Sequence, residues 1–176
     1  IRDKFMSSPL PAGAVAGLKI VDLTRVLGGP YATQVLADHG ASVIKIEPPQ
    51  GDEVRDWGPP FHEGDASYFV GLNRNKRSLG LDLTQEAGRD VLFRLLEEAD
   101  VLIENYSTRV MPQLGLDEHR LHEVNPSLVY MTMPGYGRSG PAEQWVAYGT
   151  TVDSHAGLSH LIGYPGQTPW KCGTAW

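Results

Sequence analysis

The chain has 176 residues, a formal net charge of −6, a hydrophobic fraction of 41% and a charged fraction of 20%. That balance predicts one folded domain with a real core, and its acidity argues against a nucleic-acid partner. No run approaches the roughly 18–20 apolar residues that span a bilayer, so no membrane partner is expected.

Ile1 to Gly13 lacks the basic start and apolar run of a secretory signal. The single cysteine, Cys172, permits no internal disulfide, and a cytoplasmic location is expected. Residues 1–15 read as an N-terminal extension.

In chain order, Leu18 to Leu23 is apolar and β-branched and predicts a strand. The loop Thr24 to Gly29 follows, and Pro30 suits the first turn of a helix that Gly40 would stop. Ser42 to Glu47 predicts a second strand, closed by Pro48-Pro49. Gln50 to Gly71 reads as a long irregular loop with Trp57, Phe61, Tyr68 and Phe69 interspersed, a length that usually signals function. Ser78 to Leu83 predicts a strand, and Thr84 an N-cap for a helix whose apolar face runs from Ala87 to Ala99. Val101 to Ile103 reads as a buried strand, Asp117 to Val124 as a short helix and Leu128 to Thr132 as a strand. One more helix is expected from Trp145 or Tyr148 to His160.

Strands alternating with helices predict an α/β fold, a mainly parallel Rossmann-like sheet with helices on both faces. Such sheets bind ligands at the carboxyl ends of their strands. The loops after Leu23, Glu47, Ile103 and Thr132 should therefore share one edge.

Three clusters carry possible chemistry. Thr24 to Pro30 is a glycine-rich strand-to-helix loop suited to an anion, but it lacks the G-x-G-x-x-G of dinucleotide binders. Asn73 to Ser78 holds three cations in four positions, which could pair with phosphates or form a solvated charge run. Glu104 to Arg109 follows a strand, where Tyr106 could stack on a base or pack at the core edge. The histidines lack metal-ligand spacing, so no metal is expected. No G-x-S-x-G exists, and Cys172 has little to activate it beyond Lys171.

Read in order, Gly17 to Thr24, Leu36 to Ala41, Val43 to Pro49, Asn75 to Ser78, Asp100 to Tyr106 and Pro134 to Gly137 resemble the class III CoA-transferase family. That family includes formyl-CoA and carnitine CoA-transferases and the α-methylacyl-CoA racemases. The resemblance runs over about residues 16 to 176, and the I-K-I-E-P-P, N-K-R-S and D-V-L-I-E-N blocks together make it specific.

The resemblance implies a large Rossmann-like CoA-binding domain, of which residues 16–176 would be the N-terminal part, joined to a small domain in an interlocked homodimer. It implies CoA exchange between an acyl-CoA and a carboxylic acid through an aspartyl intermediate, with CoA as co-substrate and no cofactor. The nucleophilic aspartate is expected just beyond residue 176; Asp153 does not stand in for it, and this chain alone is expected to be inactive. Arg25, Val26 and Leu27 would touch the pantetheine and thioester, and Leu81, Asn105 and Tyr106 the adenine and ribose. Gln113 stands where some members have a cation, so Lys76 and Arg109 are the candidates for phosphate contact. Trp57 and Tyr136 would lie near the acyl group. Leu27 replaces the glutamine of oxalate-type transferases and favours a more apolar acyl group. Tyr148 falls where the racemase branch has its histidine, with His155 nearby, so the transferase reading is preferred to the racemase one.

Overall fold

Alternation along the central strands decides how the chain layers. In β1 (Lys19–Asp22), Ile20 packs to one side of the sheet and Val21 to the other; in β6 (Val101–Glu104), Ile103 and Leu102 divide the same way. Runs apolar on both faces are what a parallel sheet covered on both sides requires. The computed structural model describes residues 13–170.

The elements run β1, α1 (Gly28–Asp38), β2 (Ser42–Glu47), β3 (Phe61–His62), β4 (Asp65–Ala66), α2 (Ser67–Asn73), β5 (Lys76–Gly80), α3 (Glu86–Leu96), β6, α4 (Val110–Gln113), α5 (Glu118–Val124), β7 (Val129–Thr132), α6 (Gly149–His155) and α7 (Leu158–Leu161). Five strands form one sheet in the order β5-β2-β1-β6-β7, every pair parallel. β3 and β4 form a separate antiparallel hairpin. The α/β architecture expected from the sequence is thus present, with the strand order of a Rossmann-type sheet.

The larger core lies on the face covered by α3, α4 and α5, where Leu92, Leu96, Leu102, Leu116 and Leu121 are fully buried around Val21 and Leu23. The smaller core, Ile20, Ala37, Ala41, Val43 and Ile103, lies under α1. Gly40 ends the α1 turn at φ +102°, a conformation costly for residues with a Cβ.

Several elements differ from the sequence reading. The segment 50–71 is not irregular: it holds a 3-10 turn (Glu53–Asp56), the β3–β4 hairpin and α2. Each piece is too short to show its own period. The strand expected at Ser78–Leu83 lies at Lys76–Gly80, because pairing with β2 sets Val43 opposite Lys76 and Glu47 opposite Gly80. Leu81 and Leu83 instead pack against the larger core. Thr84 is not the N-cap; Asp82 takes its N–H at 3.0 Å and its hydroxyl at 2.6 Å, and Gln85 precedes α3. The C-terminal helix is broken into α6 and α7 at Gly157, whose φ is +84°.

Candidate functional site

The chain leaves β1 toward β2 on one side and returns from β5 to β6 on the other, so the carboxyl ends of β1 and β6 open a crevice between them. Two cavities meet across this crevice. The smaller, about 280 Å³, is lined by Arg25, Ile46, Glu47, Pro48, Leu81, Leu83, Thr84, Tyr106 and Leu114 among others. The larger, about 510 Å³, is lined by Val26, Leu27, Gly28, Asn105, Trp145, Tyr148 and Asp153 among others. Arg25 and Tyr106 line both, with the guanidinium 5.3 Å from the ring centroid. That spacing suits a cation–π contact. Burial pushes the Tyr106 hydroxyl above its ordinary pKa and Arg25 pulls it back only in part, so the ring is a neutral wall.

The β1–α1 loop is held by side chains from three strands or strand ends. The Asp22 carboxylate accepts the Thr24 N–H at 2.8 Å and the Thr24 hydroxyl at 2.5 Å. Lys45 donates to the Thr24 carbonyl at 2.6 Å. The Asn105 amide accepts the Arg25 N–H and donates to the Arg25 carbonyl, both at 2.8 Å. The next residue, Val26, has φ +67°. For a β-branched residue this conformation is an outlier that costs about 1–3 kcal/mol and persists only where its surroundings over-determine it. α1 then begins at Gly28 with no side chain capping its N-terminus.

Beneath the loop lies a buried polar network. Lys45 pairs with Asp52 at 2.8 Å, off the axis of a good hydrogen bond, with side chains 2% and 1% exposed. Lys76 donates to Asp22 at 3.1 Å, the Pro30 carbonyl at 2.9 Å and Asn73 at 2.9 Å. Thr33 donates to the second Asp22 oxygen at 2.6 Å. Glu47 receives a bidentate fork from Arg55 at 2.8 and 2.7 Å, the Ser78 hydroxyl at 2.7 Å and the Asp52 N–H at 2.9 Å. Burial opposes the Glu47 charge, but these donors outweigh it and lower its pKa to about 2. Arg55 also reaches Asp65 at 2.8 Å and lies over the Phe69 ring, which fixes the hairpin and α2 to the sheet edge.

A family model described as CoA-transferase family III matches residues 15–176. The chain belongs to CoA-transferase family III. It is 41% identical over 165 residues to an acetyl-CoA:oxalate CoA-transferase of Acetobacter aceti, covering 93% of this chain and 42% of that protein. It is 39% identical over 160 residues to a human succinyl-CoA:glutarate CoA-transferase, covering 90% and 36%. Among solved structures, a CAIB/BAIF family protein from Brucella suis matches with a TM-score of 0.88 and 42% identity, over 93% of this chain and 44% of that one. The chain therefore spans roughly two fifths of the length of these relatives.

Within this family III chain, Arg25, Val26, Leu27, Asn105 and Tyr106 come together at the crevice, and Leu81 lines the smaller cavity. The Lys76 side chain is 2% exposed, and its ammonium is held by three protein oxygens on the inner side of the sheet edge. Burial lowers its pKa, and the Asp22 carboxylate offsets this in part. Arg109 is exposed and lies outside both cavities. Trp57, 45% exposed, packs against Tyr68 at 6.1 Å and also lies outside both. Tyr136 meets Trp145 at 5.7 Å and His155 at 5.1 Å, and reaches the larger cavity through Trp145.

Among the described residues, no group of three His, Cys, Asp or Glu side chains is placed to hold a metal ion, and no helix is long and apolar enough to cross a membrane. Lys171, Cys172 and the end of the Gly163–Trp176 segment lie outside the described residues. The sequence reading missed Lys45, Asp52, Arg55 and Trp145. A signal existed for the first: a lysine inside an otherwise apolar strand must find a buried partner, because an isolated buried charge is too costly.

Proposed function

We propose that this chain forms the CoA-binding part of an enzyme that transfers CoA between an acyl-CoA thioester and a carboxylic acid. The observation that carries the reading is the divided crevice: an apolar smaller cavity and a larger one beside an uncapped helix N-terminus, joined across Arg25 and Tyr106. In this reading the adenosine part lies against Leu81 and Tyr106, the pantetheine crosses Arg25, and the thioester lies by Val26, Leu27 and Gly28. Residues 16–176 are then the first part of a larger CoA-binding domain in a homodimer.

The chemistry proposed is a sequence of acyl exchanges. An aspartate carboxylate, expected shortly after residue 176, attacks the thioester carbonyl, forms a mixed anhydride and expels CoA as thiolate. The thiolate attacks the aspartyl carbonyl of the anhydride, releases the first acid and leaves an aspartyl-CoA thioester. The incoming carboxylate attacks that thioester, giving a second anhydride, and the thiolate then takes the new acyl group and frees the aspartate. The first-turn amides of α1 are donors suited to the oxygen that becomes negative at each addition. The names of the relatives given above specify oxalate and glutarate; in this chain the apolar Leu27 lines the larger cavity and favours a more apolar acyl group.

Acyl-CoA incubated without acceptor should leave an adduct of the mass of CoA less one water on the full-length protein, read by intact mass spectrometry. Thioester hydrolysis with no adduct, or no turnover of any carboxylic acid, would overturn the reading. The racemase alternative has Tyr148, not a histidine, at the larger cavity. It is excluded if a 2-methylacyl-CoA gains no deuterium at its α-carbon in heavy water.

A further inference from the structure

All four backbone hydrogen-bonding groups of Thr24 and Arg25 are engaged by side chains: Asp22 on one N–H, Lys45 on one carbonyl and Asn105 on the remaining pair. Immediately after them stands Val26 at φ +67°. Its N–H has no protein acceptor among the described residues, and Val26 lines the larger cavity. Lys45 is itself anchored by Asp52, which lies in the turn after β2. A loop pinned on one side of a strained residue is a device for keeping that residue strained.

We propose that Asn105 and Lys45 are positioning residues that hold the Thr24–Leu27 loop in its strained form, so that the amides from Val26 to Gly28 are pre-set against the acyl-CoA thioester. Asn105 then serves the site through the protein's own backbone, and not as a ligand for adenine or ribose. Without it, Val26 relaxes toward negative φ and the amides turn away. A glycine at position 26 has no such preference, since it adopts positive φ as readily as negative. This inference rests on the CoA-transferase reading for what the loop presents, but not for how the loop is held.

The test is a cycle of Asn105→Ala and Val26→Gly in the full-length protein. Asn105→Ala should lower kcat/KM for acyl-CoA by roughly tenfold or more, and adding Val26→Gly should restore most of that loss, a coupling of the size found for neighbouring residues. Val26→Gly alone should improve nothing. Lys45→Met combined with Asp52→Asn, which leaves no lone buried charge, should behave like Asn105→Ala if it folds. Hydrogen exchange at the amides of residues 24–28 without ligand supplies the second readout: both disruptions should speed it.

If the double variant Asn105→Ala, Val26→Gly is as slow as Asn105→Ala, the holding role is overturned and Asn105 is a direct contact. Unchanged kinetics and exchange in Asn105→Ala also overturn it. If the unmutated protein neither binds CoA nor transfers it, the CoA-transferase reading fails separately. Exchange at residues 24–28 then decides the holding role alone.

Discussion

Glu47 shows how one side chain ties stability to pH. Its pKa falls from 4.5 to about 2 because Arg55, Ser78 and the Asp52 N–H outweigh its burial. A group depressed in the folded state stabilises above its unfolded pKa, and that contribution is lost as pH falls from about 4.5 toward 2. Glu47→Gln should therefore lower stability at pH 7 by about 2 kcal/mol, after allowing for water around the partly exposed Arg55, and flatten the acid limb of a urea-midpoint curve. Lys76 makes the complementary case. Lys76→Met strands the Asp22 carboxylate in the interior and should cost about 3–5 kcal/mol in chemical denaturation. The salt dependence of CoA binding should not change, because the ammonium points inward.

At the scale of elements, the β1–α1 unit depends on close contact between loop and helix. A Cβ on Gly29 would run into the Thr24 side chain, whose β-branched atoms are already held by Asp22. Gly29→Ala gains up to about 1 kcal/mol of helix propensity but forces a short, pinned side chain to move, which costs about 1–3 kcal/mol. The steric term should win, and a thermal melt should show a lower Tm with CoA affinity reduced in step. Strand β2 was readable residue for residue, because Ser42 to Glu47 is bounded by glycine and proline signals. Strand β5 was displaced by two or three positions, because Leu79, Leu81 and Leu83 alternate as a strand would while ladder pairing ends at Gly80.

At the scale of the molecule, the two faces of the sheet are unequally covered. α3, α4 and α5 bury one face, whereas on edge strand β7 Val129 and Met131 remain 60% and 46% exposed. Trp145 adds exposed apolar area at the crevice, and Leu161, Tyr164 and Trp170 are exposed on the segment that follows α6. An apolar edge strand of this kind is open to pairing with another chain. The isolated chain should bind an apolar reporter dye and sediment as concentration-dependent assemblies. Val129→Lys with Met131→Lys should reduce both, since charge on an edge strand discourages pairing.

The sequence by itself determined the alternation of strands and helices, the sharing of one edge by the loops after β1, β2, β6 and β7, and the family. Those follow from local periodicity and from residue order, which a chain carries without folding. Tertiary structure alone decided the roles of the charged motif residues. Lys76 read as a phosphate contact or as part of a solvated charge run until pairing of β1, β2 and β5 set it beside Lys45 and Glu47 beneath the loop. The strain at Val26 and the grip of Asn105 on Arg25 were equally hidden, because they join residues 80 positions apart. Whether a charge meets water or a buried partner depends on what the fold brings next to it; a local pattern such as the one around Lys45 can call for a partner but cannot name it.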